Sequence, residues 1–551
     1  MTVVKIDGRS LTLDDIHAVA RDTGGAQVEC TAEATAAMNA SRELKLRLIA
    51  AGDPVYGVTT GFGDSAHRQI SADKAAALQR NMILYHLNGT GPPAPDEVVR
   101  ATLLIRANCL ARGHSGVRPR IAGGLLELLR HDVLPVVPER GSVGASGDLV
   151  PLCYVAAALI GEGEVRHRGV VRPTGDVFRG LGLTAVDLEA KDGLALINGT
   201  SFSAAYAVLA ARDARRLAAL ADICTALASE ALLGNRGHYA AFLHDQRPHP
   251  GQRTSARRVD ALLEGSELSR PHRQIVDAAG SLGGRGYAVL RRSIQDRYSL
   301  RCAPHVVGVL RDTLDWVEDW LVTEVNASTD NPLFDAAGAT VHSGGNFYAG
   351  HVAQGMDALK TAVSNVADLL DRQLALLVDE KFNNGLTPNL IPRFDEDAWE
   401  AGLHHGFKGM QIAASALTAE ALSGSSPASV HSRSTEAHNQ DKVSLAPVAG
   451  RQARSVVELA EEVAAIHLLA ACQALDLRGP RGAAPRTRAV HRAVRAVVPF
   501  TDRDRRLDGA IGRVLGLIRS GAVTRAAGLP ADTDRREDRG RGRGKGMPCQ
   551  D

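Results

Sequence analysis

Apolar residues recur at intervals of three and four along several long stretches in the second half of the chain. The longest of these stripes consists of Met356, Leu359, Val363, Val366, Leu370, Leu374 and Leu377. The same spacing returns within residues 310–321 and 456–466. Long helices that each have one apolar face bury it by packing side by side. The pattern therefore predicts a mainly α-helical fold with a bundle of long helices rather than a strand-rich core.

The hydrophobic pattern divides the chain into four regions. Residues 1–200 alternate helical patches with glycine-rich loops, and such loops carry functional sites more often than they carry stability. Residues 201–484 hold the long apolar stripes and form the predicted central bundle. Residues 485–530 predict a small helical appendix at the C-terminal side. The polar Arg-Gly tail, residues 531–551, has few apolar side chains to bury and is predicted to be disordered.

Charge and cysteine placement exclude several classes of function. The 64 Lys and Arg residues nearly balance the 62 Asp and Glu residues, so the net charge of +2 gives no field that would attract nucleic acid or an anionic membrane. The seven cysteines are scattered without CxxC or zinc-ligand spacing, which predicts reduced thiols in a cytoplasmic protein and no metal site. We therefore expect a small molecule and further copies of the chain as partners.

Neither a leader nor a membrane span is predicted. The N-terminal segment MTVVKIDGRSLTLDDIHAVARD lacks the apolar core and the cleavage site of a signal peptide. The longest apolar stretch, residues 149–160, is too short to cross a bilayer. That stretch instead predicts a helix of the protein core.

The segment ERGSVGASGDLVPL, residues 139–152, places a small-residue turn directly before this apolar helix. A tight bend can bring the backbone nitrogen of Gly147 onto the carbonyl carbon of Ala145, because glycine tolerates the required backbone angles. Ring closure with loss of water, followed by loss of a second water from Ser146, gives 4-methylidene-imidazole-5-one (MIO), a carbon electrophile. A helix that begins near Asp148 would point its positive end at the ring.

Seven segments follow one another along the chain: YGVTTGFG, GSVGASGDLVPL, KDGLALINGTS, QDRYSLRC, DNPLF, HSGGNF and EAHNQDKVSLAP. Together they resemble the histidine, phenylalanine and tyrosine ammonia-lyase and aminomutase family along nearly the whole chain. The resemblance implies a mainly α fold of the fumarase/aspartase-like superfamily, in which the N-terminal region carries the ring. It also implies a homotetramer whose active sites each combine several subunits. MIO would form autocatalytically from Ala145, Ser146 and Gly147, without a metal or a diffusible cofactor.

The resemblance assigns chemistry to six residues: Tyr56, Ala145, Ser146, Gly147, Asn198 and Tyr298. Asn198 matches the family position that donates to the ring carbonyl, and Tyr298 matches one beside the methylidene group. Tyr56 is the expected base for the β-proton, on a glycine-rich loop that can close over the substrate. A phenol can act as this base only if nearby positive charge or hydrogen-bond donors lower its pKa.

Seven further residues are expected from the resemblance to bind the substrate: Tyr85, His86, Arg301, Asn331, Phe347, Glu436 and Gln440. Arg301 is the expected anchor for the substrate carboxylate, because a planar guanidinium binds a carboxylate through two N–H groups. Asn331 would add an amide to the same contact. Glu436 matches the family glutamate near the substrate amine, and Phe347 and Gln440 match further pocket positions.

Tyr85 and His86 fall on the family's pair of positions that reads the aromatic ring. Phenylalanine enzymes resemble Phe-Leu at this pair, tyrosine enzymes His-Leu and histidine enzymes Ser-His, so Tyr-His departs from all three. Gln440 stands where histidine-specific members tend to carry Glu. We therefore rank tyrosine or phenylalanine before histidine as the substrate of an aromatic amino acid ammonia-lyase.

Other interpretations compete with an ammonia-lyase. A 2,3-aminomutase uses the same electrophile and base but returns the amine to the β-carbon, and no motif here separates the two outcomes. An inactive helical scaffold, or an RNA-binding protein that uses the Arg-Gly tail, has no need of the intact Tyr56, Arg301 and Ala-Ser-Gly turn. A serine hydrolase is excluded, because the glycine after Ser146 comes one place too early for the G-x-S-x-G motif.

Overall fold

The computed structural model describes residues 3–290 and 292–529, so the tail 531–551, which was predicted to be disordered, lies outside the described residues. The α-helices before residue 200 are α1 (Leu13–Arg21), α2 (Ala32–Ala51), α3 (Ala75–Tyr85), α4 (Asp96–Ala111), α5 (Pro119–Arg130), α6 (Leu149–Leu159), α7 (Thr174–Leu181) and α8 (Asp192–Ile197). Those that follow are α9 (Ser201–Ala231), α10 (Ala241–Asp245), α11 (Pro250–Leu262), α12 (His272–Ala279), α13 (Tyr298–Arg301), α14 (Ala303–Val325), α15 (Gly350–Val378), α16 (Lys408–Ser423), α17 (Ala446–Arg478), α18 (Pro485–Arg495), α19 (Asp508–Arg519) and α20 (Ala522–Ala526).

The strands are short and form small sheets of two or three strands. They are β1 (Val4–Ile6), β2 (Val28–Cys30), β3 (Thr90–Pro93), β4 (Val133–Pro135), β5 (Pro138–Arg140), β6 (Glu164–His167), β7 (Val170–Pro173), β8 (Leu333–Asp335) and β9 (Thr340–His342). β1 and β2 pair in parallel, whereas β3 with β5, β4 with β6, β6 with β7, and β8 with β9 pair antiparallel. Sheets of two or three such strands cannot form a core by themselves, and the predicted mainly helical fold is confirmed.

The described residues divide into two compact units, each built from three separate stretches of chain. The first unit comprises the described residues of 1–211, 317–358 and 427–454. The second comprises the described residues of 212–316, 359–426 and 455–551. Most of the boundaries fall inside the long helices α9, α14, α15 and α17.

The first unit has a core of helices that are buried on every side. From Val98 to its end, α4 is buried throughout, and it packs against α1 and α5. Helices α3, α6 and α8 pack against one another, and most of α6 is buried, which confirms the core helix predicted at residues 149–160. The packing places the ends of three helices near each other. Helix α3 ends at Tyr85, α6 begins shortly after Gly147, and α8 ends just before Asn198.

The second unit is a bundle of long helices with polar ties inside it. Arg311 of α14 donates to Asp222 of α9 at 2.5 Å, and Gln373 of α15 donates to Thr225 of α9 at 3.0 Å. The part of the apolar stripe of α15 that lies in this unit is buried. Each such buried side chain stabilises the folded state by about 2 kcal/mol. The long-helix bundle that the spacing predicted is confirmed.

Two further searches concern residues 3–290 and 292–529 only. No helix there combines the length and the apolar character needed to cross a bilayer. No group of three or more His, Cys, Asp and Glu side chains in the same ranges is arranged to hold a metal ion.

Candidate active site

A cavity of about 780 Å³ lies in the first unit, where the ends of α3, α6 and α8 come together. Ten of the thirteen predicted site residues line it: Tyr56, Tyr85, His86, Ala145, Ser146, Asn198, Asn331, Phe347, Glu436 and Gln440. Gly147, Tyr298 and Arg301 are not among the lining residues. The fold therefore gathers side chains that are nearly four hundred positions apart in sequence, roughly speaking, into one space.

The Ala145-Ser146-Gly147 turn is held against the residues that follow α8. Gly147 has a φ of 74°, in the left-handed region, and a Cβ there would overlap the backbone of Gly199. The amide of Asp148 donates to the carbonyl of Gly199 at 2.6 Å. Asn198 Nδ2 donates to the carbonyl oxygen of Ser146 at 2.8 Å. The turn therefore has the tight glycine bend expected from the sequence, and an amide donor lies on its central carbonyl.

Helix α6 begins at Leu149, directly after the turn, as the sequence predicted. Its N-cap residue, Asp148, makes no side-chain bond to the helix, and its carboxylate instead accepts a hydrogen bond from the amide of Ser203 at 2.8 Å. Complete burial raises the pKa of Asp148 to about 7. Because no side chain caps α6, its first N–H groups retain the positive partial charge of a helix N-terminus beside the turn.

The hydroxyl group of Ser146 has a donor with a fixed orientation. Gln440 Nε2 donates to Ser146 Oγ at 3.3 Å. The hydroxyl of Thr435 donates to Gln440 Oε1 at 2.9 Å, so the amide group of Gln440 can present only its NH₂ side to the serine. A donor on this oxygen assists its departure as water.

Tyr56 lies on the glycine-rich loop between α2 and α3, with its hydroxyl inside the loop. The phenol oxygen accepts a hydrogen bond from the amide of Gly63 at 3.0 Å. Burial raises the pKa of Tyr56 above its ordinary value of 10.0, the Gly63 donor lowers it and the nearby Glu436 carboxylate raises it further, with a net upward shift. The lowered pKa that a base requires is therefore absent, because the cavity surrounds Tyr56 with more burial and negative charge than donors.

Glu436 connects the Tyr56 loop to the turn of residues 435–440. Its Oε1 accepts from the amide of Asp64 at 2.9 Å and its Oε2 accepts from Asn439 Nδ2 at 2.7 Å. A Cβ at Gly63 would overlap this carboxylate, and the φ of 54° at Gly63 lies in the left-handed region that favours glycine. Glu436 thus lines the cavity as expected for a group near the substrate amine, but both its oxygens already have donors.

The ring end of the cavity is formed where α3 ends. The rings of Tyr85 and His86 lie with their centroids 4.4 Å apart. His86 Nδ1 lies 2.9 Å from the carbonyl of Met82, and since a carbonyl can only accept, Nδ1 carries the proton. Burial lowers the pKa of His86, so the ring is neutral at neutral pH and its Nε2 is a hydrogen-bond acceptor. Burial also raises the pKa of Tyr85 to about 12.

Comparison with known proteins identifies the family. The model of the family described as aromatic amino acid lyase matches residues 11–496. The chain belongs to the aromatic amino acid lyase family. A histidine ammonia-lyase of Sorangium cellulosum is 40% identical over 527 residues, which cover 94% of this chain and 98% of the relative. A tyrosine ammonia-lyase of Cupriavidus metallidurans is 40% identical over 535 residues, which cover 95% and 98%.

Comparison with solved structures supports the same family assignment. The tyrosine aminomutase from Streptomyces globisporus superposes with a TM-score of 0.90 at 36% identity and covers 96% of this chain and 98% of its own. The phenylalanine aminomutase of Pantoea agglomerans superposes with a TM-score of 0.87 at 31% identity, covering 93% and 98%. The protein is therefore an enzyme, a carbon–nitrogen lyase with the mainly helical fold of the fumarase/aspartase-like superfamily.

Two of the residues predicted for this aromatic amino acid lyase lie in its second unit. Tyr298 and Arg301 form the short helix α13, and the guanidinium of Arg301 lies 4.5 Å from the centroid of the Tyr298 ring. Arg301 Nε donates to the carbonyl of Asp296 at 3.1 Å. The Tyr298 side chain is 72% exposed. Both residues thus lie at the surface of their unit and do not line the cavity.

Asn331 and Phe347 line the cavity of the lyase from the region of β8 and β9. The carbonyl oxygen of the Asn331 side chain accepts from the amide of Gly344 at 2.7 Å. This contact fixes the orientation of the amide group and leaves its NH₂ side to donate. The carboxylate contact expected for Asn331 requires that orientation.

Several residues of the lyase cavity were not singled out from the sequence. Phe62, Gly63 and Lys442 line it and lie within segments that carry the family resemblance, so that signal could have indicated them. Gln79, which does not line the cavity but supports it, had no such signal. It is buried in α3, its Nε2 donates to the carbonyl of Gly57 at 2.9 Å, and its Oε1 accepts from the amide of Leu194 at 2.7 Å. This one side chain connects the Tyr56 loop to α8.

Proposed function

We propose that this enzyme removes the α-amino group of an aromatic amino acid whose ring carries a hydrogen-bond donor, with tyrosine first, and releases ammonia and the α,β-unsaturated acid. The observation that carries the proposal is that Ser146, Tyr56 and His86 line one cavity. Ser146 belongs to a turn that can become an electrophile, Tyr56 is a candidate base, and His86 is a hydrogen-bond acceptor for a donor on the substrate ring. Phenylalanine, which lacks a ring donor, ranks below tyrosine.

The turn fits an MIO group formed from Ala145, Ser146 and Gly147. The left-handed Gly147, the donor Gln440 on the Ser146 hydroxyl and the donor Asn198 on the Ser146 carbonyl are the contacts that its formation needs. Once formed, the group supplies a carbon electrophile for the substrate amine, which makes the amine a better leaving group.

The chain's own residues would act around this group in three ways. The amide of Asn198 and the N-terminus of α6 stabilise negative charge that develops at the carbonyl oxygen of Ser146. Tyr56 takes the β-proton of the substrate as a phenolate, which the donor Gly63 N stabilises, and becomes the neutral phenol. His86 Nε2 accepts a hydrogen bond from the substrate ring.

The substrate carboxylate needs a positively charged partner, and the cavity contains few such groups. Of the described residues that line it, Lys442 is the one Lys or Arg, and Glu436 and Asp441 are acidic. We therefore propose that the carboxylate is bound by Arg301 of the partner subunit, within a homotetramer. The exposure of Tyr298 and the position of Arg301 above its ring support this role.

Two inactive variants tested together report whether sites are shared. Tyr56→Phe and Arg301→Gln should each lose most activity, but hybrids carrying both chains should regain about one quarter of the wild-type rate per site, since random assortment pairs an intact Tyr56 with an intact Arg301 in that fraction. The chains are given different affinity tags, co-expressed and purified through both tags. Separately purified variants mixed without subunit exchange are the control and should stay inactive. Inactive doubly tagged hybrids would show that Arg301 does not act across a subunit boundary.

A second candidate function is an aminomutase that keeps the same amino acid and moves its amine to the β-carbon. The tyrosine and phenylalanine aminomutases among the solved structures favour it. The two outcomes differ in product: free ammonia with the unsaturated acid, or a β-amino acid without net ammonia release. Chromatography of a single reaction with tyrosine separates them.

A test of the substrate assignment uses tyrosine, histidine and phenylalanine side by side. We expect the highest kcat/KM with tyrosine, and His86→Leu should shift the tyrosine-to-phenylalanine ratio toward phenylalanine by about tenfold to a hundredfold, because a phenol would lose its buried acceptor. The exposed Leu84→Met, on the same helix but not lining the cavity, is the matched control and should keep the ratio.

Other outcomes of that test assign the ring differently. Highest activity with histidine would favour the activity named for the Sorangium cellulosum relative and overturn the tyrosine assignment. An unchanged ratio in His86→Leu would mean that the ring is recognised elsewhere in the cavity.

We also propose a cytoplasmic setting, which the free thiols of the six described cysteines support.

A further inference from the structure

Arg106 is a fully buried arginine whose hydrogen bonds are incomplete. It lies on α4 with 0% of its surface exposed. Its Nη2 donates to the carbonyl of Ala195, in the last turn of α8. Its Nε and Nη1 have no hydrogen-bond partner among the described residues. A buried guanidinium with unused donors costs free energy, so its presence here calls for a functional explanation.

The unpartnered end of Arg106 lies against Gly199. A Cβ added to Gly199 would overlap Arg106 Nη1, so the guanidinium packs directly on the glycine backbone. That backbone is also the partner of the turn: Gly147 forms a bridge with Gly199, and Asp148 N donates to Gly199 O at 2.6 Å. Arg106 thus packs against the backbone segment that contacts the Ala-Ser-Gly turn and supports it.

The charges around Arg106 leave it without a carboxylate partner in the described part of the chain. The nearby Asp330 is bound instead by Lys191 at 2.7 Å, and both side chains are fully buried. Burial lowers the pKa of Lys191, its pairing with Asp330 opposes this effect, and the positive charge of Arg106 lowers it further. The Lys191–Asp330 pair fixes the start of α8, and Arg106 fixes its end.

We infer that Arg106 is a positioning residue for formation of the MIO group, an inference that rests on the proposed function. In that reaction the Gly147 nitrogen bonds to the Ala145 carbonyl carbon, whose oxygen leaves as water. The Ser146 hydroxyl and its Cα hydrogen leave as a second water. The first step needs the turn held in its tight bend, and the Gly199 backbone against which Arg106 packs is the surface that maintains this bend.

The test compares Arg106→Met with Arg100→Met in the full-length protein. Arg100 lies on the same helix and is also buried, but it pairs with Asp132 at 2.8 Å and donates to the carbonyl of Ala20, away from the turn. Intact mass reports the fraction of chains that have lost two waters, and the Tm reports folding. In Arg106→Met we expect most soluble chains to keep their full mass and turnover to fall about tenfold or more. Arg100→Met should lower the Tm yet show the complete two-water deficit.

Arg106→Lys provides a second variant in case the methionine protein does not fold. Its single ammonium can reach either the Ala195 carbonyl or the Gly199 backbone but cannot span both, so we expect incomplete ring formation between the methionine and wild-type values. A complete deficit and wild-type turnover in whichever Arg106 variant is soluble would overturn the inference. A wild-type protein at full mass would instead refute the proposed function itself, so the two failures are distinguishable.

Discussion

Ser146→Ala should yield a folded protein that keeps its full genetic mass and loses turnover by about a thousandfold or more, because no hydroxyl remains to leave and no electrophile forms. The Ser146 hydroxyl lines the cavity with Gln440 as its donor, and replacing it with hydrogen removes one weak hydrogen bond from the fold. Thermal stability should therefore change little. Intact mass, Tm and turnover are measured on the same preparation.

A neighbouring serine of the same turn provides the control. Ser142 Oγ accepts from the amide of Gly144 at 3.1 Å, but none of its atoms would enter the ring. Ser142→Ala should keep the two-water deficit, because the bend at Gly147 is held by its contacts with Gly199. Wild-type turnover in Ser146→Ala would exclude the electrophile from the mechanism, and a two-water deficit in that variant would place ring formation at another segment.

Tyr56→Phe should keep both the fold and the two-water deficit but lose turnover by about a hundredfold to ten-thousandfold, the usual contribution of a positioned base. The change removes only the phenol oxygen and its hydrogen bond from Gly63. Single-substrate kinetics combined with intact mass measures the effect. Retention of wild-type turnover would assign the β-proton to a different base.

The pH dependence of wild-type turnover follows from the sign of the pKa shift of Tyr56. Because the pKa of Tyr56 in the protein without substrate lies above 10.0, the phenolate fraction rises with pH throughout the neutral range. Wild-type kcat/KM should therefore increase as pH increases from 7 to 9, by roughly tenfold per unit where this group alone limits the rate. The slope should disappear in Tyr56→Phe. Tyr85→Phe, which alters another phenol of the same cavity, should keep the slope and change ring selectivity instead.

The local features of this fold could be read from sequence because they depend on neighbours along the chain. The stripe from Met356 to Leu377 lies within α15, and the helix that follows Gly147 begins at Leu149. Hydrophobic spacing encodes the first, and a small-residue turn before an apolar run encodes the second. Six of the seven segments of family resemblance line one cavity, and their order along the chain does not by itself indicate which side chains touch.

The remaining features depend on residues that are distant in sequence. Arg106 sits in the segment ATLLIRANCLA, where an arginine has the same appearance whether it pairs with a carboxylate or supports a loop. Its surroundings are formed by Ala195 and Gly199, which come roughly ninety positions later in the sequence. The upward pKa shift of Tyr56 likewise depends on burial and on Glu436, and neither can be read from YGVTTGFG. The two discontinuous units follow from contacts across the chain, which a linear pattern does not contain.

The neutral state of Tyr56 has a consequence for the durability of the enzyme. A protein that builds a carbon electrophile into its own backbone, as we propose for this chain, risks losing it by addition of its own nucleophiles while no substrate is present. The phenol nearby stays protonated, both oxygens of Glu436 are occupied by donors, and burial raises the pKa of the Cys153 thiol, on the adjoining helix α6. Each of these groups is a poor nucleophile in that state. The low reactivity of these groups would therefore preserve the proposed electrophile between turnovers.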